Sequence, residues 1–394
     1  MKLAVKVLLP VLAFSALGYG PADAAEKKRL NVFILAGQSN MEGHGFVAAD
    51  PQRNGGRGSL EFLAKNPATT PRFAKFATAD GPWRKRDDVW ISYLQRHGPL
   101  TVGYGALPEP TRPAKIGPEL GFGWVMGDAL DEPVLLIKCA WGGKSLAVDF
   151  RPPSAGRPPY SLGAKPDAAV AQDPAIVGRY YREMIALTRS ALSRLQELVP
   201  GSDGRFVLAG FAWHQGWNDR VNDKFTAEYE ANLAHFIRDV RREFGAPELP
   251  FVIGETGMTG PAEKHPRALA LMRAQAAVAA RPEFKGNVLA VRTAPFWDEK
   301  LGAIQDKKEK VRQMAFELKN KSKRSANADG KMTEPQQKAY LKDYEAKLIS
   351  ADEAAMQKRG ASNAGYHYLG CAKTFALMGE AFAEANLQIR AGQK

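Results

Sequence analysis

Leu30-Asn31-Val32-Phe33-Ile34-Leu35-Ala36-Gly37-Gln38-Ser39-Asn40-Met41-Glu42-Gly43 sets an apolar run directly before a serine bracketed by glycines. The run suits a buried β-strand. Gly37 and Gly43 let the chain turn sharply and let another molecule approach the backbone. A serine at the mouth of a strand is where an α/β enzyme presents a nucleophile. Gln38 and Asn40 are placed to hydrogen-bond nearby backbone and hold the turn. A polar strand-to-helix turn without chemistry shares the Gly-x-Ser core, so the assignment depends on partners downstream.

Four further apolar runs, at 133–140, 206–213, 250–254 and 287–293, are short and rich in Val, Ile, Leu or Phe. Near-continuous apolarity means that both faces of such strands are covered. Helical patterns lie between and after the runs, at 119–130, 176–199, 225–244, 268–280 and 369–387. Ile176, Tyr180, Met184, Leu187 and Leu192 fall at helical spacing within one of them. Strands alternating with helices predict an α/β fold, a five-stranded parallel sheet with helices on both faces. In such sheets, sites gather at the carboxyl ends of the strands. Two insertions interrupt the pattern. The first, at about 46–115, is rich in Gly, Pro and Arg, with a patch from Trp83 to Tyr93 suited to short strands. The second, at about 298–360, is dense in Lys, Glu and Asp and reads as an exposed charged helical hairpin; a basic substrate rim is the alternative.

The start of the chain has the pattern of an export signal. Lys2 and Lys6 flank an apolar stretch at 8–17, and Ala22-Asp23-Ala24 gives the small-x-small cleavage pattern. The expectation is a signal peptide over 1–25, a single hydrolase domain over 26–394, and a periplasmic or extracellular location. The apolar stretch is shorter than the ~20 residues a membrane span needs, so no stable membrane insertion is expected. Two cysteines, Cys139 and Cys371, exclude a disulfide framework. A single bridge between them in an oxidising compartment is left open. The formal charge of +13 favours an acidic partner, such as an acidic polysaccharide. Zinc-ligand spacing, a Walker loop, and helix-turn-helix or RNA-binding signatures are missing from the sequence. No nucleic-acid partner is therefore expected.

Four loops carry groups that belong together chemically. Ser39 follows the first strand. Trp141-Gly142-Gly143-Lys144-Ser145 follows the second, and Trp213-His214-Gln215-Gly216-Trp217-Asn218-Asp219 follows the third. His367 precedes the last helix. A serine hydroxyl must lose its proton as it attacks a carbonyl, and an imidazole can take that proton and later deliver it to the leaving alcohol. The tetrahedral oxyanion needs N–H donors, each worth ~2.7–4 kcal/mol. Ser39 N–H, the Gly143 backbone and the Gln215 amide are the candidates. Taken singly, each feature has an ordinary structural reading: a turn at Gly142-Gly143, satisfied histidines at His214 and His367, packing at Trp213 and Trp217.

The Gly37-Gln38-Ser39-Asn40-Met41 string resembles the nucleophile block of the sialate O-acetylesterase-like family, carbohydrate esterase family six, in the SGNH (GDSL-like) hydrolase superfamily. Lys138-Cys139-Ala140-Trp141-Gly142-Gly143 resembles its second block and Trp213-His214-Gln215-Gly216 its third. Gly117-Pro118-Glu119 resembles a further recurrent element. The resemblance implies a flavodoxin-like three-layer sandwich and removal of O-acetyl groups from sugars without metal or organic cofactor. It implies Ser39 and His367 as the catalytic pair and Ser39, Gly143 and Gln215 as the oxyanion hole. Gln38, Glu119, Trp141, His214 and Trp217 are candidates for substrate contact. The expected substrate is an acetylated oligo- or polysaccharide; family members act on sialate and on plant xylan, so the sugar stays open.

Two positions depart from the pattern. Trp217 stands where the family usually has Glu, and Ala364 stands where the superfamily places an Asp three residues before the histidine. A backbone carbonyl, Ser362 or Asn363 is one candidate for holding His367. An acid from another loop, Asp298 or Asp219, is the second. The third alternative is a non-catalytic glycan-binding protein, with Trp90, Trp141, Trp213 and Trp217 stacking on sugar rings. A serine lipase or thioesterase on the same scaffold is a further reading, against which stands the lack of an apolar lid segment.

Overall fold

A computed structural model describes residues 29–50, 58–78, 81, 83–106 and 114–393. The expected signal peptide and parts of the first insertion lie outside the described residues. The strands are β1 (Leu30–Gly37), β2 (Gly45–Phe46), β3 (Val89–Tyr93), β4 (Arg96–Pro99), β5 (Lys115–Ile116), β6 (Val134–Ala140), β7 (Phe206–His214), β8 (Phe251–Glu255) and β9 (Val288–Arg292). Seven form one sheet in the order β4-β3-β6-β1-β7-β8-β9, and β2 pairs with β5 apart from it. The five strands expected from apolar runs are adjacent and parallel. Numbered among themselves, they follow the flavodoxin-like order 2-1-3-4-5.

The expectation of five strands is corrected to seven. A hairpin from the first insertion adds β3, parallel to β6, and β4, antiparallel to β3. Val89, Ile91 and Tyr93 are buried while Trp90 and Ser92 are half-buried, so β3 has the alternation of a strand covered on one face. Arg96, His97, Gly98 and Pro99 then form an edge strand whose charge and proline discourage further pairing.

The long helices, with the short one that Ser39 opens, are α1 (Ser39–Glu42), α2 (Pro118–Ala129), α3 (Arg179–Leu192), α4 (Asp223–Glu243), α5 (Pro266–Ala279), α6 (Glu299–Lys319), α7 (Glu334–Leu348), α8 (Ala351–Gly360) and α9 (Ala372–Gly392). Alternation along β1 sorts those that cover the sheet. Phe33 and Leu35 pack in one apolar cluster with Phe122 of α2 and Phe375 and Phe382 of α9. Val32, Ile34 and Ala36 point to the other face, with Met184 of α3, Phe236 of α4 and Leu271 of α5. Each large side chain buried this way contributes ~1.5–3 kcal/mol. Cys139 belongs to the second cluster and Cys371 to the first, and both are free thiols; the sheet stands between them.

α2 and α9 cross at glycines. A Cβ added to Gly379 would lie 1.9 Å from Pro118 O, and one on Gly121 would lie 2.0 Å from Ala376 O. This contact locks the start of α9, immediately after the His367 turn, against the start of α2. The second insertion is three helices, α6, α7 and α8, rather than a hairpin. Capping boxes at Thr333/Gln336 and Ser350/Glu353 start α7 and α8 separately. No described helix is long and apolar enough to cross a membrane.

Candidate active site

Register brings three of the four loops to one level. Gly37 pairs with Ala140 on one side and His214 on the other. The chains leaving β1, β6 and β7 therefore emerge side by side. Gly37 has φ +155°, and a Cβ there would meet His214 O at 2.1 Å, so only glycine lets β1 turn at this point. Gln38 then ties the turn together. Its Oε1 accepts from Gln215 Nε2 at 3.2 Å and Gly216 N at 3.1 Å, and its Nε2 donates to Asn218 Oδ1 at 3.3 Å. Asn218 Nδ2 donates in turn to Gly143 O at 2.8 Å. Ser39 opens α1. Neither its hydroxyl nor its N–H bonds to a described residue, and the Gly143 N–H is equally unpartnered among them. Gly142 is exposed, and a Cβ on it would lie 3.8 Å from Ser39 Cβ.

The fourth loop is tied to the first by Asn40, whose Nδ2 donates to Tyr366 O at 2.9 Å. The next residue is His367. Its ring stacks on His44, with centroids 3.9 Å apart and planes 10° from parallel. Asn363 bridges the two rings. Its Oδ1 accepts from the Ala364 N–H at 2.7 Å, which fixes which end of the amide is oxygen. The same Oδ1 lies 3.2 Å from His367 Nδ1, so that nitrogen carries a proton and Nε2 keeps its lone pair. Asn363 Nδ2 lies 3.3 Å from His44 Nδ1, which therefore accepts and leaves the His44 proton on Nε2. No hydrogen bond joins Ser39 Oγ to His367.

The turn that carries His367 is held in an uncommon backbone shape. Tyr368 (φ 48°) and Leu369 (φ 59°) are left-handed residues with side chains, followed by Gly370 at φ 72°. Left-handed geometry costs such residues ~1–2 kcal/mol each. Tyr368 and Leu369 are fully buried, which offsets it. The Tyr368 hydroxyl also lies 2.6 Å from Thr293 Oγ1 and accepts from Gly257 N at 3.1 Å, anchoring the turn at the ends of β8 and β9.

Burial sets the protonation of the site. It lowers His367 to about 4, with the Lys115 charge adding to the effect. Burial, then the neighbouring His367, lowers His44 to about 2. Both rings are neutral at pH 7. Burial also pushes the Asp219 carboxyl up to about 7, against hydrogen bonds from Gln215, Leu146 N and Ala147 N. Among the described residues no group of three His, Cys, Asp or Glu side chains is arranged to hold a metal ion.

A family model described as carbohydrate esterase, sialic acid-specific acetylesterase, matches residues 29–294. The chain belongs to this family. It is a carbohydrate O-acetylesterase. No curated protein sequence matches it. Among solved structures it is similar to a protein from Arabidopsis thaliana (16% identity, TM-score 0.42), covering 68% of this chain and 86% of that one. It is also similar to XAC1771, a carbohydrate acetylesterase from Xanthomonas citri (15%, TM-score 0.40; 68% and 51%), and to NanS (16%, TM-score 0.38; 68% and 78%).

Several residues of this acetylesterase sit elsewhere than the sequence suggested. Asp298 does not touch His367; it caps α6 by accepting from Leu301 N. Asp219 is buried beneath the Gly143 loop, accepting from Leu146 N, Ala147 N and Gln215 Nε2. Gln215 has no N–H left for an oxyanion. Its Nε2 already faces Gln38 Oε1, Lys144 O and Asp219 Oδ2, and a flipped amide would set oxygen against those three oxygens. Gln38 and His214 are internal struts, 2% and 1% exposed, and His214 Nδ1 pairs with Gly254 O. Glu119 is wholly buried in an ion pair with Lys138 at 2.7 Å. Trp141 lies half-buried against Tyr180. Trp217 is also half-buried, between the Arg220 guanidinium at 4.0 Å and Tyr366 at 5.4 Å. These two remain open to a ligand. His44 and Glu42 were missed; Glu42 stands in the string that names Ser39 and His44 directly after it, and that position was their only signal.

Proposed function

We propose that this carbohydrate O-acetylesterase works by Ser39–His367 nucleophilic catalysis, with Asn363 as the group that orients the histidine. The observation that carries the reading is the Asn363 Oδ1 contact to His367 Nδ1, which leaves Nε2 as a base. Ser39 Oγ attacks the acetyl carbonyl carbon as its proton passes to Nε2. The oxyanion is received by the N–H groups of Ser39 and Gly143, both free of partners among the described residues. Collapse breaks the bond to the sugar oxygen, which takes the proton from His367. Water then attacks the acetyl-serine with His367 again as base, releasing acetate. Burial and then the Lys115 charge lower His367 to about 4, and an amide in place of a carboxylate does nothing to raise it.

The substrate class is an acetylated oligo- or polysaccharide, and the charge of +13 favours an acidic one. Lys2, Lys6 and the apolar stretch after them support export to the periplasm or beyond. Acetate release measured across a panel of acetylated glycans tests the reading. Wild type releases acetate from at least one, and Ser39→Ala loses at least ~10³-fold in kcat. Full activity in that variant sinks the proposal.

A further inference from the structure

Glu42 closes α1, three residues after Ser39, and its carboxyl borders the same space. A Cβ placed on the exposed Gly142 would lie 3.0 Å from Glu42 Oε2 and 3.8 Å from Ser39 Cβ. One carboxyl oxygen and the serine therefore flank a single point beside the Gly142-Gly143 loop. The two oxygens of Glu42 are unequal. Oε1 accepts a 3.5 Å bond from the Tyr93 hydroxyl, whereas Oε2 accepts from no described residue and is not among the buried unpaired atoms.

Lys138, the cation whose charge acts on it most, does not satisfy it. Lys138 Nζ spends its three donors on Glu42 O, Tyr104 O and Glu119 Oε2. Glu42 has no ion-pair partner among the described residues, and burial raises its carboxyl above the usual range. A largely buried carboxyl with an open oxygen is costly unless something donates to it. A carboxylate only accepts, and the donors an acetylated sugar brings next to its ester are its hydroxyls.

Resting on the Ser39 reading above, we propose that Glu42 Oε2 accepts a hydrogen bond from a substrate hydroxyl neighbouring the acetyl ester. Glu42 is thus a specificity-determining residue that selects polyol esters over plain acetate esters.

The test compares ethylene glycol monoacetate with its methyl ether, which differ only in that hydroxyl. The readout is the ratio of their kcat/KM values, in which general damage to the enzyme cancels. Wild type should favour the free hydroxyl by roughly tenfold or more, the range for a bond to a charged acceptor. Glu42→Ala should bring the ratio to about one. Glu42→Gln, which keeps the shape where the alanine variant fails to fold, should lower it. A wild-type ratio of about one, or an unchanged ratio in a folded variant, overturns the proposal. Ser39→Ala run beside them separates the two readings. Retained hydrolysis there removes Ser39 as nucleophile but leaves the hydroxyl ratio to speak for Glu42.

Discussion

Residues 37–43 leave β1 at Gly37 and wind at once into α1, with Gln38 bonded to the β7 loop on one side. Residues 363–370 pass instead through left-handed Tyr368 and Leu369, held by Thr293 and Gly257 from β9 and β8. The first turn follows from its own residues: a glycine where no Cβ fits, then a short helix. The second exists because distant elements impose it. A turn that presents a serine can be written locally, whereas a turn that brings a histidine from the far end of the chain has to be positioned by tertiary contacts.

The largest expected effect breaks the first turn. Gly37→Ala puts a Cβ 2.1 Å from His214 O and should cost more than ~4 kcal/mol, read as loss of soluble protein or of cooperative unfolding. Next, Asn363→Ala leaves the His367 tautomer unset and should cut kcat/KM by about 10²–10⁴, by analogy with the loss of the orienting group in serine proteases. Asn363→Asp should keep activity and move the acid limb of the kcat/KM profile upward from about 4, because a carboxylate favours the imidazolium. A pH profile of the two variants decides this.

Smaller changes probe the second turn. Tyr368→Phe keeps the ring but strips the anchor, leaving Gly257 N–H and Thr293 without it. A loss of ~1–3 kcal/mol is expected by urea unfolding, with kcat falling more than KM rises. Leu369→Gly relieves ~1–2 kcal/mol of backbone strain but gives up a fully buried side chain worth ~2–5 kcal/mol, so it should destabilise on balance. The smallest effect is in acid. His44 and His367 have folded values below 6.5, so their stabilising contribution is complete above that pH and is lost as the pH falls toward 4. The melting temperature should drop over that window, and His44→Phe should flatten the drop.

Much of the architecture was legible because parallel strands covered on both faces are written as unbroken apolar runs. All five expected strands are present within a residue or two. The hairpin β3–β4 was only a patch in the sequence, since an edge strand needs one apolar face and shows half the signal. Ser39 and Gly143 stand out in the sequence by their glycine spacing, and strand register sets their two loops side by side. Gln215 was misread because its residue type is right for an oxyanion donor. Only the structure shows its protons taken by Gln38, Lys144 and Asp219. Asn363 was one name among several, and what singles it out is a backbone N–H that orients its amide.

The helical excursion α6–α8 begins and ends at nearly the same place. Asp298 starts it, and a Cβ on Gly360 would lie 2.7 Å from Leu301 Cδ1, one turn in from the other end. Joining two points already in contact asks little of chain entropy, since each doubling of a loop adds only ~0.6 kcal/mol. The segment is thus a natural splice point. Beyond Leu301 it can be shortened or exchanged for a foreign module, with the chain still re-entering at Gly360 just ahead of the turn that delivers the imidazole.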